Sequence, residues 1–264
     1  MNGQGVSMCS VSEISPGIRA GFTDVAAGNL AFHVSDEHAD VALRRKAVNT
    51  KLRARIGPGV DLAYMHQVHG TEVAVLDSDG FTGNGHPIPG AAFPTADAMV
   101  AVGEGAAARG LAVMVADCVP VVLAARCAGD GPAQGEPIVA VAHAGRPGVE
   151  QGVIAAVVGR MRAAGAGNIA AWLGPSVCGR CYEVPEAMRA RVGEMVPETF
   201  ASTSWGTPAL DLPAGVLAQL AALGVAARPS GICTLEDPRW YSHRRSQRDH
   251  APEGRFIGFV AADH

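Results

Sequence analysis

Three residues at the ends of apolar runs carry most of the chemistry this sequence offers. They are His69 in Met65-His-Gln-Val-His-Gly70, Cys118 in Ala116-Asp-Cys-Val-Pro120 and His143 in Ala140-Val-Ala-His-Ala-Gly145. Function is commonly carried on loops held by a rigid scaffold, which is where these residues fall. Two imidazoles and a thiolate, if the fold joins them, make a His₂Cys set. Its fourth tetrahedral position stays open, the pattern of a catalytic rather than a structural zinc ion. Zinc there would bring a bound water's pKa towards about 7 and polarise a carbonyl or leaving group. Read singly, the residues allow other roles. Cys118 could only pack, or it could be a nucleophile with His143 or His69 as its base. The three are too far apart in sequence for a local zinc knuckle, so only tertiary structure can unite them.

Other groups weigh less. Cys178-Gly-Arg-Cys181 is a C-x-x-C without a second C-x-x-C, so a zinc ribbon is not expected; loop packing is the expected role, with a redox or metal function as the alternative. Gly103-Glu-Gly105 and Gly165-Ala-Gly167 do not complete a dinucleotide fingerprint, and no phosphate loop is present. Anion binding therefore falls to arginines. Arg146, close to His143, is the best placed, and Arg244, Arg245 and Arg255 form a late basic group. His33 and Arg45 are further candidates for the cleft.

The elements that must position these residues read as follows. Leu111–Val115 and Val119–Leu123 have strand length and composition, and the pair is expected to lie side by side around Asp117-Cys118. Strands are also expected over Ile18–Phe22, Asp61–Val68, Glu72–Leu76, Asp97–Val102, Pro137–His143, Ile169–Leu173 and Arg255–Val260, with a short one at Cys233-Thr234. Helices are expected over Asp40–Ile56, with Asp40 as N-cap, and over Gly148–Ala164, Pro185–Met195 and Pro213–Leu223, the last two with Pro near the first turn. Residues 77–95 and 197–208 read as loops. Asp117 is expected to face away from Cys118, because successive strand residues point to opposite faces. Strands and helices alternate irregularly, which points to a mixed α/β layered sandwich. Residues 1–16 read as a loose lead-in and 17–264 as one domain.

Composition bounds the rest. The chain has 264 residues, 48% hydrophobic and 17% charged, with a formal net charge of −4. A nucleic-acid surface normally brings a basic excess or stripe, so none is expected. No apolar run reaches the roughly 18–20 residues of a spanning helix, so no membrane partner is expected. The N-terminus lacks the pattern of a signal peptide. A cytoplasmic protein follows, with its six cysteines as free thiols or ligands.

Taken together, the segments resemble the YfiH-type laccase-domain family, also labelled purine nucleoside phosphorylase or polyphenol oxidase. The resemblance rests on Asn29-Leu-Ala-Phe-His33-Val-Ser-Asp36, Gln67-Val-His-Gly70, Thr95-Ala-Asp97-Ala98, Ala116-Asp-Cys-Val-Pro120 and His143-Ala-Gly145. Further on, Gly174-Pro-Ser-Val177, Cys181-Tyr-Glu-Val184, Cys233-Thr234 and Ser242-His-Arg-Arg245 continue it. It implies a YfiH-like fold with His69, Cys118 and His143 as zinc ligands. It also implies phosphorolysis of adenosine, inosine or methylthioadenosine and deamination of adenosine. The partners would be a purine nucleoside and phosphate, and the protein a monomer or homodimer. Copper chemistry, implied by the oxidase label, fits less well, because it needs richer His/Cys/Met ligation. The chain departs from the family in two places. Trp-Arg-Gly after His-Ala-Gly is here Arg146-Pro-Gly148, and Cys178 stands where Gly is usual, with Arg180 in place of the first residue of a Cys-Cys pair. Two rival readings are a metal-free cysteine hydrolase built on Cys118 and a non-catalytic interaction module tied to cell-wall or division functions.

Overall fold

The central strands are buried on both faces, which is why they read as unbroken apolar runs rather than alternating ones. In Val119–Arg126, for example, Val119, Val121 and Leu123 enter one core while Val122 and Ala124 enter another. The structure, a computed structural model, describes residues 9–34, 36–77, 80–82, 93–103 and 109–263. Most of the expected 77–95 loop and part of Gly103-Glu-Gly105 lie outside these residues.

The strands in chain order are β1 (Cys9–Ser15), β2 (Ile18–Thr23), β3 (Leu62–Ala63), β4 (Val73–Asp77), β5 (Gly80–Thr82), β6 (Ala98–Val102) and β7 (Gly110–Val115). They continue with β8 (Val119–Arg126), β9 (Pro137–Ala144), β10 (Ala170–Leu173), β11 (Phe200–Ser202), β12 (Pro208–Leu210), β13 (Ala226–Pro229) and β14 (Phe256–Ala262). The helices are α1 (His38–Arg55), α2 (Arg146–Gln151), α3 (Val153–Ala163), α4 (Glu186–Met195), α5 (Leu212–Ala222) and α6 (His243–Asp249). A five-stranded sheet has the order β1-β2-β14-β7-β3, and a seven-stranded sheet the order β13-β10-β8-β9-β6-β4-β5.

Four layers result. Leu111, Val113, Val115, Phe256 and Val260 of the smaller sheet meet Met99, Val122, Val139 and Val141 of the larger one in a shared core. The outer face of the smaller sheet is covered by α1 through Val48 and Leu52. The outer face of the larger sheet is covered by α2, α3 and α5, through Val149, Val153, Ile154, Val157 and Val216. The mixed α/β sandwich expected from the sequence is therefore present.

Several local expectations are corrected. β7 and β8 are not neighbours: β7 pairs with β14 and β3 in the smaller sheet, and β8 with β9 and β10 in the larger. Asp117-Cys118 is thus a crossing between layers. An apolar run buried on both faces does not say which sheet it joins. Residues 9–15 of the expected lead-in form β1, antiparallel to β2. The helix expected over Gly148–Ala164 begins two residues earlier and breaks at Gly152, whose φ of 91° is left-handed. The N-cap of α1 is Glu37, not Asp40. Asp61–Val68 contributes only β3 and a bridge from His66 to Thr95. The 197–208 loop holds β11 and leads into β12.

Candidate metal centre

β3 and β7 run parallel as neighbours, so both leave the smaller sheet at the same end. The connections that follow both lead to the larger sheet, one through His69 into β4 and the other through Cys118 into β8. Each makes its turn with a non-glycine residue in the left-handed region: His69 has φ 62° and Asp117 φ 84°. Such a backbone costs about 1–3 kcal/mol and persists only where the surroundings enforce it. β9 brings His143 to the same place, with Pro120 as its partner across the ladder.

The three donor atoms lie within 4.8 Å of one another. Sγ of Cys118 is 3.9 Å from Nε2 of His69. The His69 and His143 rings meet edge to face, with centroids 4.6 Å apart. Gly145 closes the cradle: a Cβ there would come within 2.7 Å of His69 Cδ2 and 3.2 Å of Cys118 Sγ. His143 is buried, Cys118 half-buried and His69 exposed.

Asp97 organises this arrangement, a role that sequence reasoning did not assign. It is fully buried. Its Oδ1 accepts from Nδ1 of His143 at 2.9 Å and from the His69 amide at 2.9 Å. Its Oδ2 accepts the amides of Gly70 at 2.6 Å and Val68 at 3.2 Å. One carboxylate therefore sets the His143 ring and shapes the left-handed turn at His69. It leaves Nε2 of His143 for a ligand, the usual outer support of a metal-binding histidine. Burial alone would raise the Asp97 carboxyl. The hydrogen bonds from His143 and from the Gly70 and Val68 amides outweigh it and hold the group below the ordinary range. The available signal was a lone acid opening an otherwise apolar strand. Gln67 adds a second brace, pairing its amide with both backbone groups of Met114 at 2.7 and 2.8 Å.

Cys118 and His143 polarise each other. Burial pushes the Cys118 thiol up, but the His143 charge and the hydrogen bonds from His143 and His69 bring it down to about 6. Burial pushes His143 down, and the Cys118 charge with the Asp97 hydrogen bond raises it to about 9. These opposing shifts favour a thiolate–imidazolium pair when no metal is bound. Asp117 faces elsewhere, though not by strand alternation, since it lies in the bend between β7 and β8: Thr234 Oγ1 donates to its Oδ1 at 2.6 Å and the Arg244 amide to its Oδ2 at 2.7 Å.

The surrounding cavity, about 220 Å³, is lined also by His33, Gln67, His243 and Arg255. His243 borders a second cavity of about 500 Å³ that includes Trp205 and Arg244, so the two adjoin. His33 lines this cavity, where burial and the nearby Arg255 charge lower its pKa and favour the neutral ring. The other two substrate-binding candidates do not line the metal cavity. Arg45 is buried beneath α1, stacked on Tyr64 and Phe32 with its Nε on the Leu30 carbonyl. Arg146 is engaged by Glu150 at 2.5 Å. Both guanidiniums thus serve structural contacts.

A family described as multi-copper polyphenol oxidoreductase laccase matches residues 17–263. The chain belongs to this family. The purine nucleoside phosphorylase ORF3 of Streptomyces griseus is 46% identical, over 89% of this chain and 87% of that one. The purine nucleoside phosphorylase SCO2081 of Streptomyces coelicolor is 42% identical, over 94% of this chain and 96% of its own. The crystal structure of the hypothetical protein YfiH from Bacillus licheniformis shares the fold. Its TM-score is 0.77 at 22% identity, covering 98% of each chain.

Proposed function

We propose that this chain is a zinc-dependent purine nucleoside phosphorylase acting on adenosine, inosine and methylthioadenosine, with deamination of adenosine as a second activity. The observation that carries the reading is the His69–Cys118–His143 cradle, with its open side towards a cleft that bears Arg255 and His243. The names of the Streptomyces relatives supply the substrate class. Zinc rather than copper suits the donor set. Met114 lines the cavity but turns its sulfur to Arg45 at 3.3 Å, leaving no thioether for an axial copper position.

Bound zinc would supply Lewis-acid chemistry to an oxygen nucleophile. The chain's own residues would do the rest. Arg244, stacked on Tyr182, makes no ion pair among the described residues and lines the larger cavity. It is the cation we assign to phosphate, in place of the paired Arg146. His243 gives its Nδ1 to Glu253 at 3.1 Å, which leaves Nε2 to hydrogen-bond the nucleoside. In phosphorolysis a phosphate oxygen bonds to the ribose anomeric carbon as the bond to the purine nitrogen breaks. The departing purine keeps the electron pair and takes a proton. In deamination water replaces phosphate and attacks the purine carbon that carries the amino group; the carbon–nitrogen bond breaks, and the amino group takes a proton from that water and leaves as ammonia. The free cysteines among the described residues fit a reducing cytoplasm, and no described helix is long and apolar enough to cross a membrane.

The test is metal content combined with turnover of adenosine and inosine, with and without phosphate, in the parent and in Cys118→Ala. Loss in Cys118→Ala of one zinc ion per chain, together with loss of phosphate-dependent release of base, supports the reading. Turnover by a metal-free protein would overturn it. A metal-free cysteine hydrolase is the second reading, favoured by the thiolate–imidazolium pair. Covalent trapping of Cys118 during turnover, indifferent to a chelator, would select it.

A further inference from the structure

The C-x-x-C segment acquires partners that are distant in sequence. Cys178 and Cys181 follow β10, and Cys233-Thr-Leu-Glu236 follows β13. A parallel bridge between Ser176 and Cys233 joins the two segments. Sγ of Cys178, Cys181 and Cys233 and a carboxylate oxygen of Glu236 all lie within 4.8 Å of one another. From this convergence we propose a second, structural zinc site, held by Cys178, Cys181, Cys233 and Glu236.

The geometry suits one ion. Tetrahedral zinc with bonds of about 2.3 Å to sulfur puts neighbouring sulfurs about 3.8 Å apart. A cluster of several irons would need them wider. Each half of the site is a tight turn. The Cys181 amide bonds the Cys178 carbonyl at 2.9 Å, and the Asp237 amide bonds the Cys233 carbonyl at 3.0 Å. Packing alone gives no reason for three thiols to converge on a carboxylate, with Cys181 3.4 Å from Glu236. Arginines surround the cluster and offset its negative charge: Arg180 reaches Glu236 at 3.7 Å, and Arg245 bonds the Thr234 carbonyl at 2.6 Å.

The second ion would brace the first centre. Val177, next to Cys178, gives its amide to the Asp117 carbonyl at 3.0 Å, and Thr234, next to Cys233, gives its hydroxyl to the Asp117 carboxylate. Asp117 is adjacent to Cys118. The two segments clamped by the second ion are therefore those that hold the crossing on which the first centre depends.

The test counts zinc in the full chain by mass spectrometry after desalting, and repeats the measurement with cobalt as a coloured probe. We expect two ions per parent chain. Cys118→Ala should keep one, and its cobalt form should show the strong charge-transfer absorption of several thiolates. The double variant Cys178→Ser/Cys233→Ser should lose one ion. Three results would overturn the proposal: a zinc-free Cys118→Ala protein, a double variant as zinc-rich as the parent, or a disulfide of Cys178 with Cys181 or Cys233 in the zinc-replete parent. Because Cys118→Ala leaves the second cluster intact, failure of this site and failure of the His69–Cys118–His143 reading give different counts.

Discussion

Oδ1 of Asp97 stands 2.9 Å from Nδ1 of His143 and, with its partner oxygen, gathers three successive amides of the His69 turn. Asp97→Asn has one acceptor oxygen where the carboxylate had two. We expect zinc affinity to fall about 10–100-fold and stability by about 1–3 kcal/mol. Competition with a zinc chelator and urea unfolding measure the two effects. Unchanged affinity would remove Asp97 from the site.

Gly145 tests the cradle by steric means alone. Its φ of −74° suits alanine, so only the close approach to His69 and Cys118 opposes a side chain. Gly145→Ala should displace His69 and lose the metal while overpacking costs no more than about 1–3 kcal/mol. Metal analysis beside circular dichroism reads both. A fully metallated Gly145→Ala protein would mean that the ligands are not arranged as described.

The thiolate–imidazolium pair fixes a pH dependence for the metal-free protein. The folded Cys118 pKa, about 6, lies below the ordinary 9, so its contribution to stability is present above pH 9 and is lost as pH falls through about 6. The folded His143 pKa, about 9, lies above the ordinary 6.5, so its contribution is present below pH 6.5 and is lost as pH rises through about 9. Together they favour the metal-free fold between about pH 6 and 9. Alkylation of Cys118 should rise with a midpoint near pH 6, and His143→Ala should move that midpoint upward. Peptide mapping after iodoacetamide treatment follows this one thiol. A midpoint that stays near 9 in the parent would argue against the pair.

At Asp117 the usual order of alanine and glycine should invert. Both replacements lose the bonds from Thr234 and Arg244, but only alanine also keeps a Cβ at φ 84°. Asp117→Ala should therefore unfold more easily than Asp117→Gly by about 1–2 kcal/mol. At an ordinary backbone position alanine would be favoured. Paired denaturation curves decide the sign.

Arginine assignments separate kinetically. Arg244→Ala should raise the KM for phosphate tenfold or more, equivalent to about 1.4 kcal/mol. Arg146→Ala should leave that constant unchanged and cost under about 1 kcal/mol in stability, since Arg191 still reaches Glu150. Phosphate titrations of the two variants test the exchange of roles.

The layered α/β class, and His69, Cys118 and His143 as the residues to watch, were legible because apolar runs ended in His, Cys and His, and because family motifs surrounded them. Other features were hidden for identifiable reasons. A strand buried on both faces, such as β8, carries no label for its sheet, so β7 and β8 read as a pair. Asp97 looked like one acid among apolar residues until the fold aimed three amides at it. Cys178-Gly-Arg-Cys181 lacked a partner motif in sequence because the partner is a cysteine–glutamate turn after another strand. Arg45 looked available only because its aromatic neighbours Tyr64 and Phe93 are remote in the chain.

The two crossings that leave β3 and β7 have a mechanical consequence. A metal held by His69, Cys118 and His143 rests on two connectors and on a strand of the layer they enter, so it acts as a clasp across the seam of the sandwich. Sliding one layer against the other would pull on all three ligands together. Metal occupancy would thus become a gauge of interlayer alignment, and each tenfold rise in the free metal above its dissociation constant would stabilise the fold by about 1.4 kcal/mol.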